Sequence, residues 1–153
     1  MDNKWDHRFL ELAQYVSSWS RDPSTKVGAI IVDQNNIIKG IGFNGFPRGV
    51  ADSPDRYDDR DTKLQMIVHA EVNAILNANG PVRGCKLYIW PTLMLPTVCS
   101  DCAKVVIQAG IKEIYYWHNE NCAPRWQEKA LIVEQMFDEA GIKCCALEIE
   151  ELI

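Results

Sequence analysis

The order of hydrophobic and polar positions predicts a helix followed by a hairpin at the start of the chain. Hydrophobic residues recur there at the spacing of one helix face: Trp5, Phe9, Leu12, Ala13 and Val16. This helix is expected to end near Ser20, because Asp22-Pro23 interrupts the pattern. A continuous apolar run at 27–32 predicts a buried strand, and a polar turn at 33–36 leads into a second strand at 37–42. We therefore expect the first two strands to be antiparallel.

The segment 43–61 shows no hydrophobic periodicity. It contains Pro47, Pro54 and two glycines among many aspartates and arginines. A connection of this length without regular structure is usually functional or mobile rather than a simple linker. We expect an irregular loop that contributes to function.

Helical and strand patterns alternate in the rest of the chain. In order, they predict a short helix at 68–78, a strand at 85–90, an irregular connection at 91–98, a helix at 102–109, a strand at 111–117, a long helix at 126–140 and a strand at 142–149. Strand–helix–strand order favours parallel pairing of the last two strands, with helices covering the sheet. The expected fold is a three-layer α/β/α domain spanning 1–153, with a five-stranded mixed sheet.

Composition and charge exclude several classes of protein. The chain has 153 residues, of which 47% are hydrophobic and 24% charged, as in one compact domain that folds without crosslinks. A formal charge of −5 disfavours binding of a polynucleotide through its phosphates. No apolar run is long enough to cross a membrane, and the first residues lack the apolar core of a signal peptide. We expect a cytoplasmic protein.

The six cysteines are expected to be reduced, because no export signal is visible. In a reducing setting, the Cys99-Ser100-Asp101-Cys102 spacing indicates metal or redox chemistry rather than a crosslink. Cys144 and Cys145 are adjacent, so they cannot both face one partner from a strand. We interpret them as small hydrophobic residues of the last strand.

Three side chains are candidate zinc ligands: His69, Cys99 and Cys102. Both motifs fall at predicted helix starts, where free backbone N–H groups stabilise a thiolate. Three protein ligands leave the fourth tetrahedral position for water, as in catalytic zinc sites. Glu71 follows His69 by two positions, close enough to exchange protons with that water without binding the metal. A His-x-Glu motif followed by Cys-x-x-Cys is typical of zinc-dependent deaminases.

Each motif taken alone has a simpler interpretation. Cys-x-x-Cys also occurs in structural zinc sites and in redox pairs, and His-x-Glu occurs by chance on helix surfaces. A structural site would need a fourth protein ligand, and neither His118 nor Cys122 is closely spaced with either motif. Together, the two motifs predict one catalytic zinc per chain.

The chain resembles the deoxycytidylate (dCMP) deaminases over roughly residues 5–140. The residues that carry the resemblance are Ser20-Arg21-Asp22-Pro23 with Val27-Gly28-Ala29, Gly42-Phe43-Asn44-Gly45-Phe46-Pro47, His69-Ala70-Glu71-Val72-Asn73-Ala74-Ile75, Gly84-Cys85, and Cys102-Ala103-Lys104 with Gln108-Ala109-Gly110-Ile111. One departure is Val98, which stands where the family usually has proline before the first cysteine. The segment 91–98 also looks a few residues long, which would reshape the loop beside the substrate base.

The resemblance implies a cytidine deaminase-like fold and the hydrolytic deamination of dCMP to dUMP, which feeds thymidylate synthesis. It also implies a homo-oligomer built from dimers, with a hexamer as one form. Activation by dCTP and inhibition by dTTP, with Mg²⁺ accompanying the triphosphate effector, are further implications. The expected binding partners are therefore small nucleotides, and neither a membrane nor a polynucleotide is expected.

Candidate substrate residues follow from the resemblance for Asn44 and its loop, and from residue chemistry or strand position for the others. Asn44 is expected to contact sugar or base, or else to serve only the turn, and Ala70 lies in the zinc motif. Arg21 and Lys26 are the first candidates for the 5′-phosphate, or else are surface charges. Tyr116 ends a strand at the edge where α/β sheets bind ligands, or else belongs to the core. The loop residues Gly42, Phe43, Gly45 and Arg48 are candidates for a nucleotide or effector contact, with Arg56 and Arg60 as weaker ones.

Two other functions remain open. One is a deaminase of the same fold that acts on a modified dCMP, on cytidine or deoxycytidine, or on a tRNA adenosine. The other is a non-enzymatic zinc-binding interaction domain, in which Glu71 would have no role.

Overall fold

A computed structural model describes residues 3–91, 98–117 and 124–148. In chain order, its helices and strands are α1 (Lys4–Ser17), β1 (Gly28–Val32), β2 (Ile38–Phe43), α2 (Pro54–Asp58), α3 (Arg60–Met66), α4 (Ala70–Leu76), β3 (Lys86–Trp90), α5 (Ser100–Ala109), β4 (Glu113–Trp117), α6 (Pro124–Ala140) and β5 (Lys143–Leu147). Every predicted strand is present. Within the described ranges, no helix is both long and apolar enough to cross a membrane.

The five strands form one mixed sheet in the order β2-β1-β3-β4-β5. Strand β1 runs antiparallel to both β2 and β3. Strands β3, β4 and β5 are parallel to one another. The predicted five-stranded mixed sheet, with its antiparallel first pair and parallel last pair, is confirmed.

Helices cover both faces of the sheet, which gives the expected three layers. On one face, α1 buries Phe9, Leu10, Ala13 and Val16 against Ile30, Val32, Tyr88 and Tyr115. The other face packs against α4, α5 and α6, and its core includes Ala74, Val106 and Phe137. Cys144 packs against this second core and Cys145 against the first, so the prediction for these cysteines is confirmed.

The segment 43–61 is not the irregular loop that its lack of periodicity predicts, because it contains α2 and leads directly into α3. Pro54 stands in the first turn of α2, where its fixed φ favours helix. The Asp59 side chain accepts the Thr62 N–H and caps α3. No residue of α3 is buried. A helix without a buried face leaves no hydrophobic period, so only its cap residues could have revealed it.

Glycines in β2 let α4 lie directly on the strand. A β-carbon on Gly42 would stand 2.3 Å from the Ala70 carbonyl oxygen and 2.3 Å from the Ala74 nitrogen. One on Gly40 would stand 2.3 Å from the Ala74 carbonyl oxygen. These contacts are with backbone atoms, which cannot turn aside as a side chain can. The position of α4 over the sheet therefore depends on glycine at both sites.

We expect Gly42→Ala to destabilise the fold by about 1–3 kcal/mol or more, because the added methyl must displace the backbone of α4. Urea denaturation would measure the free energy of unfolding. The matched control is Gly45→Ala, since a β-carbon there meets nothing within 4 Å. It should change stability by less than about 1 kcal/mol. Equal effects of the two substitutions would contradict the close-contact argument.

Candidate metal centre and substrate cavity

The structure brings the three predicted metal ligands together. The Nδ1 atom of His69 lies 3.0 Å from the Cys102 Sγ atom and 3.3 Å from the Cys99 Sγ atom. All three ligand atoms lie within 4.8 Å of one another. Tetrahedral zinc with its usual bond lengths separates such atoms by about 3.5–3.8 Å. The donor set and its spacing therefore fit a zinc ion.

Two helix starts meet at this point. His69 is the N-cap residue of α4, and Cys99 is the N-cap residue of α5. The Cys99 sulfur accepts the Cys102 backbone N–H at 3.4 Å, which closes the Cys-x-x-Cys turn. Val98, directly before Cys99, is buried in the core. The prediction that both motifs open helices is confirmed.

The sulfurs and the imidazole stabilise negative charge on one cysteine. Contact with Cys102 and with His69 lowers the pKa of the Cys99 thiol to about 4. The neighbouring sulfur and burial raise the pKa of Cys102. The contact with Cys99 also raises the pKa of His69. A thiolate held this way at a helix start is prepared to bind a metal.

Glu71 lies in the first turn of α4, where only 5% of it is exposed. Burial raises the pKa of its carboxyl group above the ordinary value. A carboxyl group with a raised pKa is a stronger base than an exposed one, which suits it to exchange protons with a neighbouring water. Because Glu71 and His69 line the same cavity, this group stands beside the metal centre.

The metal centre opens into a cavity of about 260 Å³. Its wall combines the start of α4 with the loop before β1 and one side of α3. The polar residues that line it, outside the metal centre and Glu71, are Asp22, Thr25, Asn44, Arg60 and Lys63. The apolar ones are Val27, Leu64, Ile67, Ala70 and Pro91. A concave site with an apolar wall and a few polar groups is typical of small-molecule binding.

Asn44 lies in the cavity wall, as expected, but the loop before β1 uses both ends of its amide. Its Oδ1 atom accepts the Val27 N–H at 2.9 Å, and its Nδ2 atom donates to the Thr25 carbonyl at 2.8 Å. The Ser20 hydroxyl donates to the Asn44 carbonyl at 2.8 Å. Asn44 therefore shapes the wall, and a contact with sugar or base stays a prediction.

Three other predicted substrate residues do not line the cavity. Arg21 is exposed and its Nε atom lies 3.4 Å from Asp52 Oδ2. Lys26 is exposed and donates to the Ser20 carbonyl. Tyr116 lies in β4, paired with Ile89 of β3. These positions follow from the course of the loop and strand, which the sequence does not specify.

The cavity's own cations come from α3. Arg60 and Lys63 stand one helical turn apart on the side of α3 that faces the cavity. Arg60 is among the weaker candidates predicted from the sequence. Lys63 carried no signal, because α3 itself was not predicted.

The predicted effector loop lies along α4, outside the cavity lining. The Phe43 carbonyl accepts the Asn73 side-chain amide at 2.8 Å, and Gly45 pairs with Val68. Arg48 donates to the Asn77 side chain. Together with Gly42, which touches α4, these residues hold the helix that carries Glu71. Their role toward a nucleotide stays a prediction.

Asp22 and Lys63 form an ion pair in the cavity wall. The Lys63 Nζ atom lies 2.7 Å from Asp22 Oδ2, and Asp22 is 1% exposed. Its other oxygen, Oδ1, accepts the backbone N–H groups of Ser24 and Thr25 and the Ser24 hydroxyl. Burial alone would raise the pKa of Asp22, but Lys63 and these hydrogen bonds lower it. The carboxylate is therefore charged and held in one orientation.

The segments around 92–97 and 118–123 lie outside the described residues. They include most of the predicted irregular connection before Cys99, together with His118 and Cys122.

The chain is similar to known deaminases. Residues 3–118 match the family described as the cytidine and deoxycytidylate deaminase zinc-binding region. An uncharacterized deaminase encoded in the luxG 3′ region of Aliivibrio fischeri is 42% identical over 153 residues, covering 99% of each chain. Human deoxycytidylate deaminase is 37% identical over 145 residues, covering 91% of this chain and 77% of its own.

A solved structure has the same fold. It is the dCMP deaminase of the cyanophage S-TIM5 in complex with dCMP and dUMP, with a TM-score of 0.69 and 22% identity. The match covers 96% of this chain and 99% of the phage protein. The expected cytidine deaminase-like fold is thus confirmed.

We expect Cys99→Ser and Cys102→Ser each to abolish zinc binding at neutral pH, because a serine hydroxyl is far harder to deprotonate than a thiol. Metal analysis of the purified variants would measure zinc per chain. Cys144→Ser is the matched control, since this half-buried cysteine lies in β5, outside the ligand group. Full zinc content in both ligand variants would mean that the ligand set is wrong.

Proposed function

The chain belongs to the cytidine and deoxycytidylate deaminase family, and on this premise we propose that it catalyses the hydrolytic deamination of dCMP to dUMP and ammonia. The observation that carries the proposal is the pairing of the His69, Cys99 and Cys102 group with buried Glu71 in one cavity. The name of the human relative supports dCMP as the substrate.

Zinc, when bound by these three residues, supplies the Lewis acidity that makes water nucleophilic near neutral pH. Glu71 then provides the proton transfers. Its carboxylate would accept a proton from water as the water oxygen bonds to C4 of cytosine, and would deliver that proton to the ring nitrogen N3. It would then carry the proton of the new C4 hydroxyl to the amino group, so that the C4–N bond breaks, ammonia leaves and the C4 carbonyl of dUMP forms. The raised pKa of Glu71 suits both directions of transfer.

The alternative of a purely structural zinc domain is less well supported. A structural site would be closed by a fourth protein ligand, and the described residues offer three in this group. A structural role would also leave no reason to bury a carboxyl group beside the ligands. The buried position of Glu71 favours an enzyme.

We place the 5′-phosphate of the substrate at Arg60 rather than at Arg21 or Lys26. Arg60 lines the cavity, and no hydrogen bond or ion pair joins it to another described residue. Its planar guanidinium suits two phosphate oxygens at once. Lys63, the neighbouring cation, is already engaged by Asp22.

Assembly and regulation are also part of the proposal. We propose a homo-oligomer, regulation by dCTP and dTTP with Mg²⁺ at the loop that includes Arg48, and a cytoplasmic location. The support is the family membership.

We expect Glu71→Gln to keep zinc but to lose turnover by at least about 10²–10⁴-fold, because the amide keeps the shape of the side chain and cannot carry protons. Ammonia release from dCMP and zinc content would be measured on the same preparation. A glutamine variant with a near-normal rate would remove Glu71 from the mechanism.

The substrate is tested by ammonia release from dCMP, deoxycytidine, cytidine, a modified dCMP and tRNA. We expect dCMP to be used much better than deoxycytidine. Arg60→Ala should lower kcat/KM for dCMP by about 10- to 100-fold, the scale of a lost hydrogen bond to a charged group. The weak activity on deoxycytidine should hardly change, because that substrate has no phosphate.

Arg21→Ala is the control, because Arg21 lies outside the cavity lining. It should affect neither substrate. If Arg21→Ala selectively loses activity on dCMP and Arg60→Ala does not, the phosphate-binding site lies in the loop before β1. If another compound releases ammonia and dCMP does not, the proposal that dCMP is the substrate is wrong.

A further inference from the structure

We infer that Asp22 limits how much negative charge the substrate cavity accepts, and so selects a nucleoside monophosphate over a di- or triphosphate. Asp22 does this by holding Lys63 in an ion pair, which leaves Arg60 as the uncommitted cation among the described cavity residues. This inference rests on the proposed deamination of dCMP.

The first step is the balance of charge in the cavity wall. Beyond the metal centre and Glu71, its charged residues are Asp22, Arg60 and Lys63. The aspartate and the lysine neutralise each other at 2.7 Å. The wall therefore offers one net positive charge toward a phosphate group. A monophosphate already brings about −1.5 to −2 charges at pH 7, and each further phosphate adds negative charge that this wall leaves unbalanced.

The second step is the rigidity of the anion. Asp22 is held through Oδ1 by Ser24 and Thr25, so its carboxylate cannot turn away when an anionic ligand enters. The loop that carries it is itself held by Asn44, which bonds Val27 and Thr25. A negative charge fixed in this way repels a second and a third phosphate wherever they extend along this wall.

The third step is the freedom of the cation. Lys63 belongs to α3, none of whose residues is buried. Its remaining partner is the Ser24 hydroxyl, at 2.9 Å from Nζ. A lysine ammonium on a flexible four-carbon stem reaches any nearby anion once its own counter-charge is removed. Asp22 thus decides whether Lys63 acts as a second phosphate ligand.

The test uses two substitutions that break the same ion pair from opposite sides. Asp22→Asn keeps the Oδ1 acceptor and the size of the side chain while freeing Lys63. Lys63→Gln leaves the charge of Asp22 unbalanced. The measured quantity is kcat/KM for dCMP divided by kcat/KM for dCDP or dCTP, from ammonia release. Ammonia release measures only the nucleotide that reacts in the catalytic cavity. Binding of a nucleotide at another site is therefore not counted in this ratio.

We expect Asp22→Asn to lower this ratio about tenfold or more, and Lys63→Gln to raise it. A merely structural ion pair would move both ratios in the same direction or neither. Asp52→Asn is the matched control, because it breaks the exposed pair with Arg21 outside the cavity lining, and its ratio should stay that of the wild type. Melting temperature and zinc content would confirm that each variant is folded.

Opposite shifts in the two variants support the inference, and unchanged or parallel shifts overturn it. If Asp22→Asn fails to fold, the rise in Lys63→Gln still decides, because an unchanged or lowered ratio there contradicts the role of Asp22. A wild-type protein that releases no ammonia from dCMP would instead overturn the proposed function, and this inference with it.

Discussion

The contact between α4 and β2 is the constraint on which the rest of the site depends. Gly40 and Gly42 allow the backbone of α4 to touch the strand, and that contact fixes where the helix begins. His69 stands at this beginning, and α5 must start beside it for Cys99 to reach the imidazole. The positions of the candidate metal ligands therefore depend first on how the backbones of α4 and β2 pack.

Most of the fold and all residues of the candidate metal centre could be predicted from local sequence signals. The apolar run at 27–32 and the glycines after α5 and α6 mark elements through short-range spacing, which survives folding unchanged. His69, Glu71, Cys99 and Cys102 are found for the same reason, since each pair occupies a single helix start. Local signals do not predict the strand order β2-β1-β3, because pairing of β1 with β3 joins segments that are distant in sequence.

The cavity wall was less predictable because its residues act without hydrophobic periodicity. Arg60 and Lys63 lie on α3, which has no buried residues, so no hydrophobic periodicity in the sequence indicates this helix. Arg21 and Lys26 seemed better placed, yet the loop turns their side chains to Asp52 and to the Ser20 carbonyl. Asn44 shows a related effect, since a residue suited to ligand binding is also engaged in holding the loop. Which polar residue faces a cavity is decided by the course of the backbone, which is a long-range property.

The absence of buried residues in α3 has a consequence for the evolution of this site. Substitutions on an exposed helix usually change stability little, whereas those in the core or at the start of α4 are costly. Recognition of the substrate's charged end through Arg60, as proposed, is thus uncoupled from the folding of the catalytic centre. Natural variation can replace Arg60 or Leu64 without rebuilding the metal ligands, whereas Lys63 is tied to the buried carboxylate of Asp22. If the proposed phosphate site is correct, the fold allows a lineage to change its nucleotide preference while it retains its metal ligands.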